Sequence, residues 1–169
     1  MTEFEYWSKY IYRRITMKYT VRFAHLESKP KWKVGEVLTR GDIVGIMGTT
    51  GQSTALHLHI DCVEGEQKQP YKLIDLSNGN KVSSSHQLFF FIDKELFGVD
   101  PVITTEYNDT EYLKTYGKLH RGYDLVPSDR HQTREHYAIH WNRSKEGIVS
   151  LVVDDPKGYG NCIYITFEV

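Results

Sequence analysis

A short alternation of histidine and apolar residues constrains this chain more than any other feature. Residues 49–61 run from a loop rich in glycine, serine and threonine into the sequence His-Leu-His-Ile-Asp. Successive side chains of a β-strand point to opposite faces, so His57 and His59 are predicted to share one face. Two imidazoles on one face are candidate metal ligands, or one ligand and one acid–base group. Two partly buried structural histidines are the alternative that this pair leaves open.

Length and composition indicate one globular domain, residues 1–169. A chain of 169 residues is long enough for one sizeable core and short for two. The net charge of -1 provides no basic excess of the kind that nucleic-acid-binding proteins carry. No apolar run approaches the ~20 residues that span a bilayer. Neither nucleic acid nor a membrane is therefore an expected partner. Cys62 and Cys162 are too few for a disulfide framework and predict two reduced core thiols.

Alternating apolar residues and turn residues predict a mainly β fold. Strands are predicted at 19–26, 43–48, 56–61, 102–107, 147–153 and 162–169. Residues 64–99 differ in character, because Gln, Lys, Asn, Gly and Ser dominate up to Ser85. Within them, residues 71–76 suggest a short strand, and residues 86–92 suggest a strand or the start of a short helix continuing to Leu96. We predict that residues 64–99 are a connector with some order of its own.

A second histidine-containing segment lies far along the chain. His120 and Asp124 are four residues apart, with Gly122 between them. Catalytic zinc sites use three nitrogen or oxygen ligands from the protein and keep one position open. A histidine from the His57/His59 strand would complete a set of two histidines and one carboxylate. In isolation, a loop histidine and a turn-capping aspartate are the simpler interpretation.

Taken together, three motifs resemble the lysostaphin/LytM family of zinc peptidoglycan endopeptidases. The family's His-x-Gly-x-Asp motif is matched by residues 120–124, and its Tyr-Ala-His-Leu-like segment by residues 23–26. Its glycine-rich run that ends in His-x-His is matched over most of residues 37–59. The resemblance covers residues 19–63 and 100–169. It implies an antiparallel β-sheet core of the lysostaphin/LytM type.

The order of these motifs is the reverse of the family's order. In the family His-x-Gly-x-Asp comes first and His-x-His comes last, so this sequence resembles a circular permutant. Residues 19–63 and 100–169 would form the catalytic core, and residues 64–99 would join the ancestral termini. In the parent, a hairpin would connect the strand ending at Val169 to the strand near Tyr19. Alternatively, two chains could exchange halves and complete two sites together.

The resemblance also implies roles for individual residues. His120, Asp124 and His59 would bind one Zn²⁺ and leave a position for a water molecule. His57 and His25 would take the proton of that water and stabilise the oxyanion or donate to the leaving amine. Which of the two is the general base stays open, and support of the metal ligands is the alternative role for both. Candidate substrate contacts are Tyr123, Tyr159, Thr50 and Ser53.

The activity that the resemblance implies is hydrolysis of peptide bonds in bacterial peptidoglycan, whose peptides are the expected partners. The acidic start of the chain lacks the layout of a signal peptide. We therefore expect a phage product, found in the virion tail or in the host cytoplasm before release, with other tail or lysin domains as candidate partners. A non-catalytic module that binds wall peptides and a structural tail component are the alternatives, and the complete set of histidines favours the enzyme. Predicted surface or loop histidines are His86, His131, His136 and His140, of which His140 could approach the cleft.

Overall fold

A curled antiparallel β-sheet dominates the computed structural model, which describes residues 2–3, 5, 18–70, 92–129 and 132–168. The prediction of a mainly β fold with an antiparallel core is confirmed for these residues. Among the described residues from Lys18 onward, the helices are α1 (Thr110–Tyr116) and a 3-10 helix (Arg134–Tyr137). The strands are β1 (Lys18–Leu26), β2 (Val37–Leu38), β3 (Ile43–Ile46), β4 (Leu58–Glu64), β5 (Pro101–Thr105), β6 (Tyr123–Pro127), β7 (Ala138–His140), β8 (Gly147–Asp155) and β9 (Gly160–Glu168).

The central strands of the large sheet bring the two histidine segments side by side. The sheet has the order β2-β8-β9-β1-β4-β6-β5, and β3 pairs with β7 in a separate ribbon. Strand β4 pairs with β1 on one side and with β6 on the other. In this register His59 lies opposite both Ala24 of β1 and Asp124 of β6. The distant motifs are therefore neighbours within one chain, and an exchange between chains is not needed to unite them.

Both faces of the central strands are covered, and the two faces differ in chemistry. Val21 and Phe23 of β1 pack with Ile60 of β4 in the main hydrophobic core. The opposite face of β1 carries Arg22, which is buried, and Ala24, which belongs to a smaller apolar cluster. This alternation follows from the period of two along a strand. It places a buried polar layer on the side of the sheet that faces away from the main core.

Strand β1 departs from regular geometry at His25. The register with β9 shifts between Phe23 and Leu26, and His25 has a φ of 60°. A left-handed backbone is uncommon for a residue other than glycine, asparagine or aspartate, and a bulge of this kind redirects a side chain. Regular alternation would point His25 into the core with Val21 and Phe23. The bulge instead brings its ring to the side of the sheet that carries His59.

The loop that precedes the histidine strand packs against the turn between β8 and β9. Gln52 donates its backbone N–H to the Gly158 carbonyl at 2.7 Å, and the Asn161 N–H is donated to the Thr50 hydroxyl at 3.0 Å. A Cβ atom on Gly51 would collide with the backbone of Gly158 and Gly160, and one on Gly160 would collide with Thr50. This contact joins the glycine-rich loop to the hairpin that carries Tyr159.

The sequence analysis did not predict α1, the 3-10 helix or strands β2, β6 and β7. Helix α1 has only seven residues, too few for a helical period to stand out, although Asp109 caps its start and Gly117 ends it in the left-handed conformation. Strand β7 has only three residues, too few to show an alternation. Residues 94–97 form a turn and not a helix that continues to Leu96. The strand suggested at 71–76 and most of the segment at 86–92 lie outside the described residues.

The two cysteines are free and buried, as predicted. Burial raises the pKa of the Cys162 thiol to about 12 and raises that of Cys62 as well. Both thiols are consequently protonated at neutral pH and unsuited to nucleophilic or metal-binding roles. No helix in the described part of the chain combines the length and the apolar character that crossing a bilayer requires.

We expect Gly51→Ala to destabilise the fold far more than Gly117→Ala. Their φ values of 74° and 69° are similar, so both substitutions carry a backbone penalty of roughly 1–2 kcal/mol. A Cβ on Gly51 would also collide with the backbone of Gly158 and Gly160, whereas one on Gly117 meets no atom within 4 Å. Denaturant unfolding should show a loss of about 3 kcal/mol or more for Gly51→Ala. Equal losses would contradict the contact between loop and turn.

Candidate metal centre

Two imidazoles and one carboxylate converge at the junction of β4 and β6. The Nδ1 atom of His59 lies 3.0 Å from Asp124 Oδ1, and the Nε2 atom of His120 lies 3.2 Å from the same oxygen. All three residues are buried, and one ligand atom from each lies within 4.8 Å of the others. His59, His120 and Asp124 therefore form a group that could hold a metal ion.

The remaining nitrogen of each imidazole in this group is already bonded to a fixed acceptor. His59 donates its Nε2–H to Asp61 Oδ2 at 2.8 Å. His120 donates its Nδ1–H to the carbonyl oxygen of Glu106 at 3.1 Å. Metal-binding histidines in proteins are oriented in this way, with one nitrogen held by an acceptor and the other left for the metal. Two nitrogens and one carboxylate are also a donor set that suits zinc, so the residues fit a zinc ion.

The electrostatic environment of this group favours a bound cation. Burial raises the pKa of Asp124, but its hydrogen bonds with His120 and His59 outweigh burial and hold that pKa far below its ordinary value. Burial lowers the pKa of His59, but Asp124 and Asp61 outweigh it and raise the pKa to about 9. The centre thus favours ionised carboxylates and positive charge beside them. A divalent cation among the three residues would meet the same demand.

His25 and His57 lie beside this group. Their ring centroids are 5.0 Å apart, and His57 Nε2 lies 3.5 Å from Asp124 Oδ1. His25 donates its Nδ1–H to the Thr50 carbonyl, and His57 donates its Nδ1–H to the Ala55 carbonyl, both at 2.7 Å. Burial lowers the pKa of His25 to about 4, so its Nε2 carries a free electron pair at neutral pH.

A cleft opens above the group, and the candidate substrate contacts differ in their relation to it. Ser53 and Tyr159 line the cleft, whereas Tyr123 is buried in the hydrophobic core and is not among the lining residues. The hydroxyl of Thr50 donates to the Leu26 carbonyl at 2.6 Å, and its own carbonyl holds His25. Thr50 therefore supports the site through internal hydrogen bonds.

One part of the cleft wall was missed by the sequence analysis. It includes Tyr112 and Tyr116 of α1, whose rings are 4.6 Å apart, together with Lys118. The capping signals around α1, Asp109 and Gly117, could have indicated this helix. Nothing in the sequence could have placed its Tyr112 ring 4.7 Å from the ring of His120.

The other described histidines, His136 and His140, do not join the centre. His140 lies in β7, with its ring against Gly98, and is not among the residues that line the cleft. His136 contacts Asp129 at 2.9 Å. His86 and His131 lie outside the described residues.

Gly122, the central residue of the His-x-Gly-x-Asp segment, leaves space for His59. A Cβ atom at this position would lie 2.5 Å from the Ile60 carbonyl oxygen and 2.8 Å from His59 Nε2. We expect Gly122→Ala to displace the His59 ring and to reduce zinc binding by about 10-fold or more. The measurement is zinc affinity by competition with a chelating dye.

Gly147→Ala is the matched control for this substitution. A Cβ at Gly147 would lie 2.5 Å from the Ile165 side chain and 2.8 Å from Trp141, a similar crowding in the core with no histidine involved. This variant should lose stability and keep its zinc affinity. A parallel loss of zinc affinity in both variants would mean that crowding alone, and not the position of His59, is responsible.

Comparison with known families supports two of the three motifs. The model of peptidase family M23 matches residues 2–71, a segment that contains His25, His57 and His59 and begins before β1. His120 and Asp124 lie beyond the matched segment. No match was found among curated proteins or among solved structures. The match to peptidase family M23 supports the LytM/lysostaphin-like family that the three motifs resemble.

Proposed function

We propose that this chain is a zinc-dependent endopeptidase that hydrolyses peptide bonds in bacterial peptidoglycan. The observation that carries the proposal is the convergence of His59, His120 and Asp124, with His25 and His57 beside them, at the base of an open cleft. A metal-binding group next to imidazoles that can transfer protons is the arrangement that metal-assisted hydrolysis requires. The match to a peptidase family supports the choice of a peptide as substrate.

His59 would bind the zinc ion through Nδ1, His120 through Nε2, and Asp124 through its carboxylate. When bound, zinc supplies a Lewis acid that activates a water molecule and polarises the scissile carbonyl. The hydrogen bonds to Asp61 and Glu106 hold both imidazole rings in the orientation that this binding needs. The protein itself thus contributes a preorganised set of donors in a largely buried position.

His25 and His57 would move protons during the reaction. Each is held through Nδ1–H by a backbone carbonyl, which leaves Nε2 to accept or donate a proton. One of them would accept a proton from the attacking water, and the other would stabilise the oxyanion or donate a proton to the leaving amine. Tyr159, whose ring is 6.3 Å from that of His25, and Ser53 would contact the substrate from the cleft wall.

Circular permutation is our proposed origin for the reversed order of the motifs. Strands β9 and β1 pair side by side, with Glu168 opposite Lys18, in the geometry that a short hairpin between them would have. A site built from neighbouring strands depends on where those strands lie and not on the order in which the chain connects them. The phage context and the partner domains stay predictions from the sequence.

Alanine substitutions should separate the metal ligands from the proton-transfer residues. We expect His59→Ala, His120→Ala and Asp124→Ala to lose both bound zinc and wall-lytic activity. His25→Ala and His57→Ala should keep bound zinc and lose activity by about 10²-fold or more, because they act on protons and not on the metal. Elemental analysis measures the zinc, and clearing of isolated cell walls measures the activity.

The products of the wild-type protein test the reaction itself. Mass spectrometry of muropeptides released from several cell walls should show new peptide termini, with the glycan strands uncut. Binding of the zinc-loaded protein to walls without release of any fragment would favour the non-catalytic binding module. Full retention of zinc by Asp124→Ala would refute the ligand assignment.

A further inference from the structure

We propose that Asp61 and Arg22 are positioning residues that hold His59 in the orientation needed for metal binding. Neither residue belongs to the group that could hold the ion. Asp61 contacts His59 of that group, and Arg22 contacts Asp61. The inference rests on the proposed function, since it assigns a role toward the metal of that same site. It concerns the chain's own residues and can be tested without an activity assay.

A single carboxylate oxygen connects the ion pair to the imidazole. Asp61 Oδ2 accepts hydrogen bonds from Arg22 Nε at 3.1 Å and Nη2 at 2.6 Å, and from His59 Nε2–H at 2.8 Å. The side chains of Arg22 and Asp61 are 1% and 0% exposed, so water does not compete for these bonds. The shortest of the contacts is charge-assisted, which makes it among the stronger kinds of hydrogen bond in proteins.

Strand pairing places these three side chains on one face. Arg22 of β1 lies directly opposite Asp61 of β4. His59 is two residues from Asp61 on the same strand and therefore points to the same side of the sheet. The arrangement is set by the register of the two central strands and does not depend on a loop.

The guanidinium group is itself held by two tyrosines. Arg22 donates from Nη1 to the Tyr164 hydroxyl at 3.1 Å, and the Tyr159 ring lies 3.7 Å from its central carbon. The cation–π contact with Tyr159 and the hydrogen bond to Tyr164 together restrict rotation of the guanidinium group. Asp61 is consequently fixed, and so is the acceptor that it presents to His59.

The consequence for His59 is a defined choice of ring nitrogen. Its Nε2 carries the proton that Asp61 accepts, so Nδ1 is the atom that faces Asp124 and His120. A flip of the ring about its Cβ–Cγ bond would put carbon atoms where the two nitrogens now lie and would break the hydrogen bond to Asp61. Orientation of this kind raises metal affinity because less freedom is lost when the ion binds.

A purely structural role is the competing explanation. Buried ion pairs contribute little net stability, and replacement of both partners by apolar residues of similar volume is often neutral or stabilising. The effect of the ion pair on the stability of the protein can therefore be separated from its effect on the position of His59. The double substitution Arg22→Met with Asp61→Leu leaves the net charge unchanged and removes the acceptor for His59 Nε2–H.

We expect this double variant to fold and to bind zinc about 10- to 100-fold more weakly than the wild type. Competition with a chelating dye measures the affinity, and thermal unfolding of the metal-free protein measures the stability. The matched control is Thr20→Val, which lies on the same face of β1 and loses buried hydrogen bonds to Thr166 and the Gly65 carbonyl. The control should lose stability and keep its zinc affinity.

A spectroscopic measurement on the unsubstituted protein supplies a second test. Nitrogen-15 NMR of the histidine side chains should show a His59 Nε2–H proton that exchanges slowly with water, with and without zinc. This signal should vanish in the double variant and persist in Thr20→Val. If the double variant does not fold, the wild-type spectrum decides, because a rapidly exchanging Nε2–H would overturn the proposal.

The outcomes distinguish this inference from the proposed function. Zinc affinity of the double variant within about twofold of wild type would overturn the positioning role and leave the ligand set intact. Equal losses of affinity in the double variant and in Thr20→Val would also overturn it. A wild-type protein that binds no zinc but shows the protected Nε2–H would refute the metal site while confirming the contact between Asp61 and His59.

Discussion

The buried polar layer across β1, β4 and β6 is the constraint on which the rest of this structure depends. Charged groups removed from water are costly unless each meets a partner. Here Arg22 meets Asp61, Asp61 meets His59, and His59 meets Asp124, across three neighbouring strands. The chain of contacts explains why one face of a central sheet can be polar and still buried. It also ends at the cleft, where a group of donors could hold a metal ion.

Orientation of the histidines follows from the same principle. The four imidazoles near the cleft each use one nitrogen to donate to a fixed acceptor within the protein. For His25, His57 and His120 the acceptor is a backbone carbonyl, and for His59 it is a carboxylate. The second nitrogen of His57, His59 and His120 lies within 3.5 Å of Asp124 Oδ1. The type of acceptor does not separate the proposed metal ligands from the proposed proton-transfer residues, because His120 is a proposed ligand and is also held by a carbonyl.

The sequence by itself determined the candidate donors and the type of fold. Alternation in residues 19–26 and 56–61 was sufficient for strands, because the period of two is local and survives in any register. The spacing of His120 and Asp124, with the His57/His59 pair, was sufficient to propose the donors that the structure brings together. The resemblance to a family accounts for the choice of His59, and not His57, as the ligand. Helix α1 was missed because its seven residues are too few for a helical period to stand out in the sequence.

Only the tertiary structure decided how those donors are used. The bulge at His25 turns its ring away from the core. The sequence of β1 does not indicate this, because regular alternation would place His25 on the core face with Val21 and Phe23. The burial of Tyr123 in the core and the use of Thr50 for internal hydrogen bonds likewise depend on which strands are neighbours. The pairing of Arg22 with Asp61 joins residues 39 positions apart, a separation that local sequence does not encode. Long-range register, set by the packing of the whole sheet, is the physical reason for each of these differences.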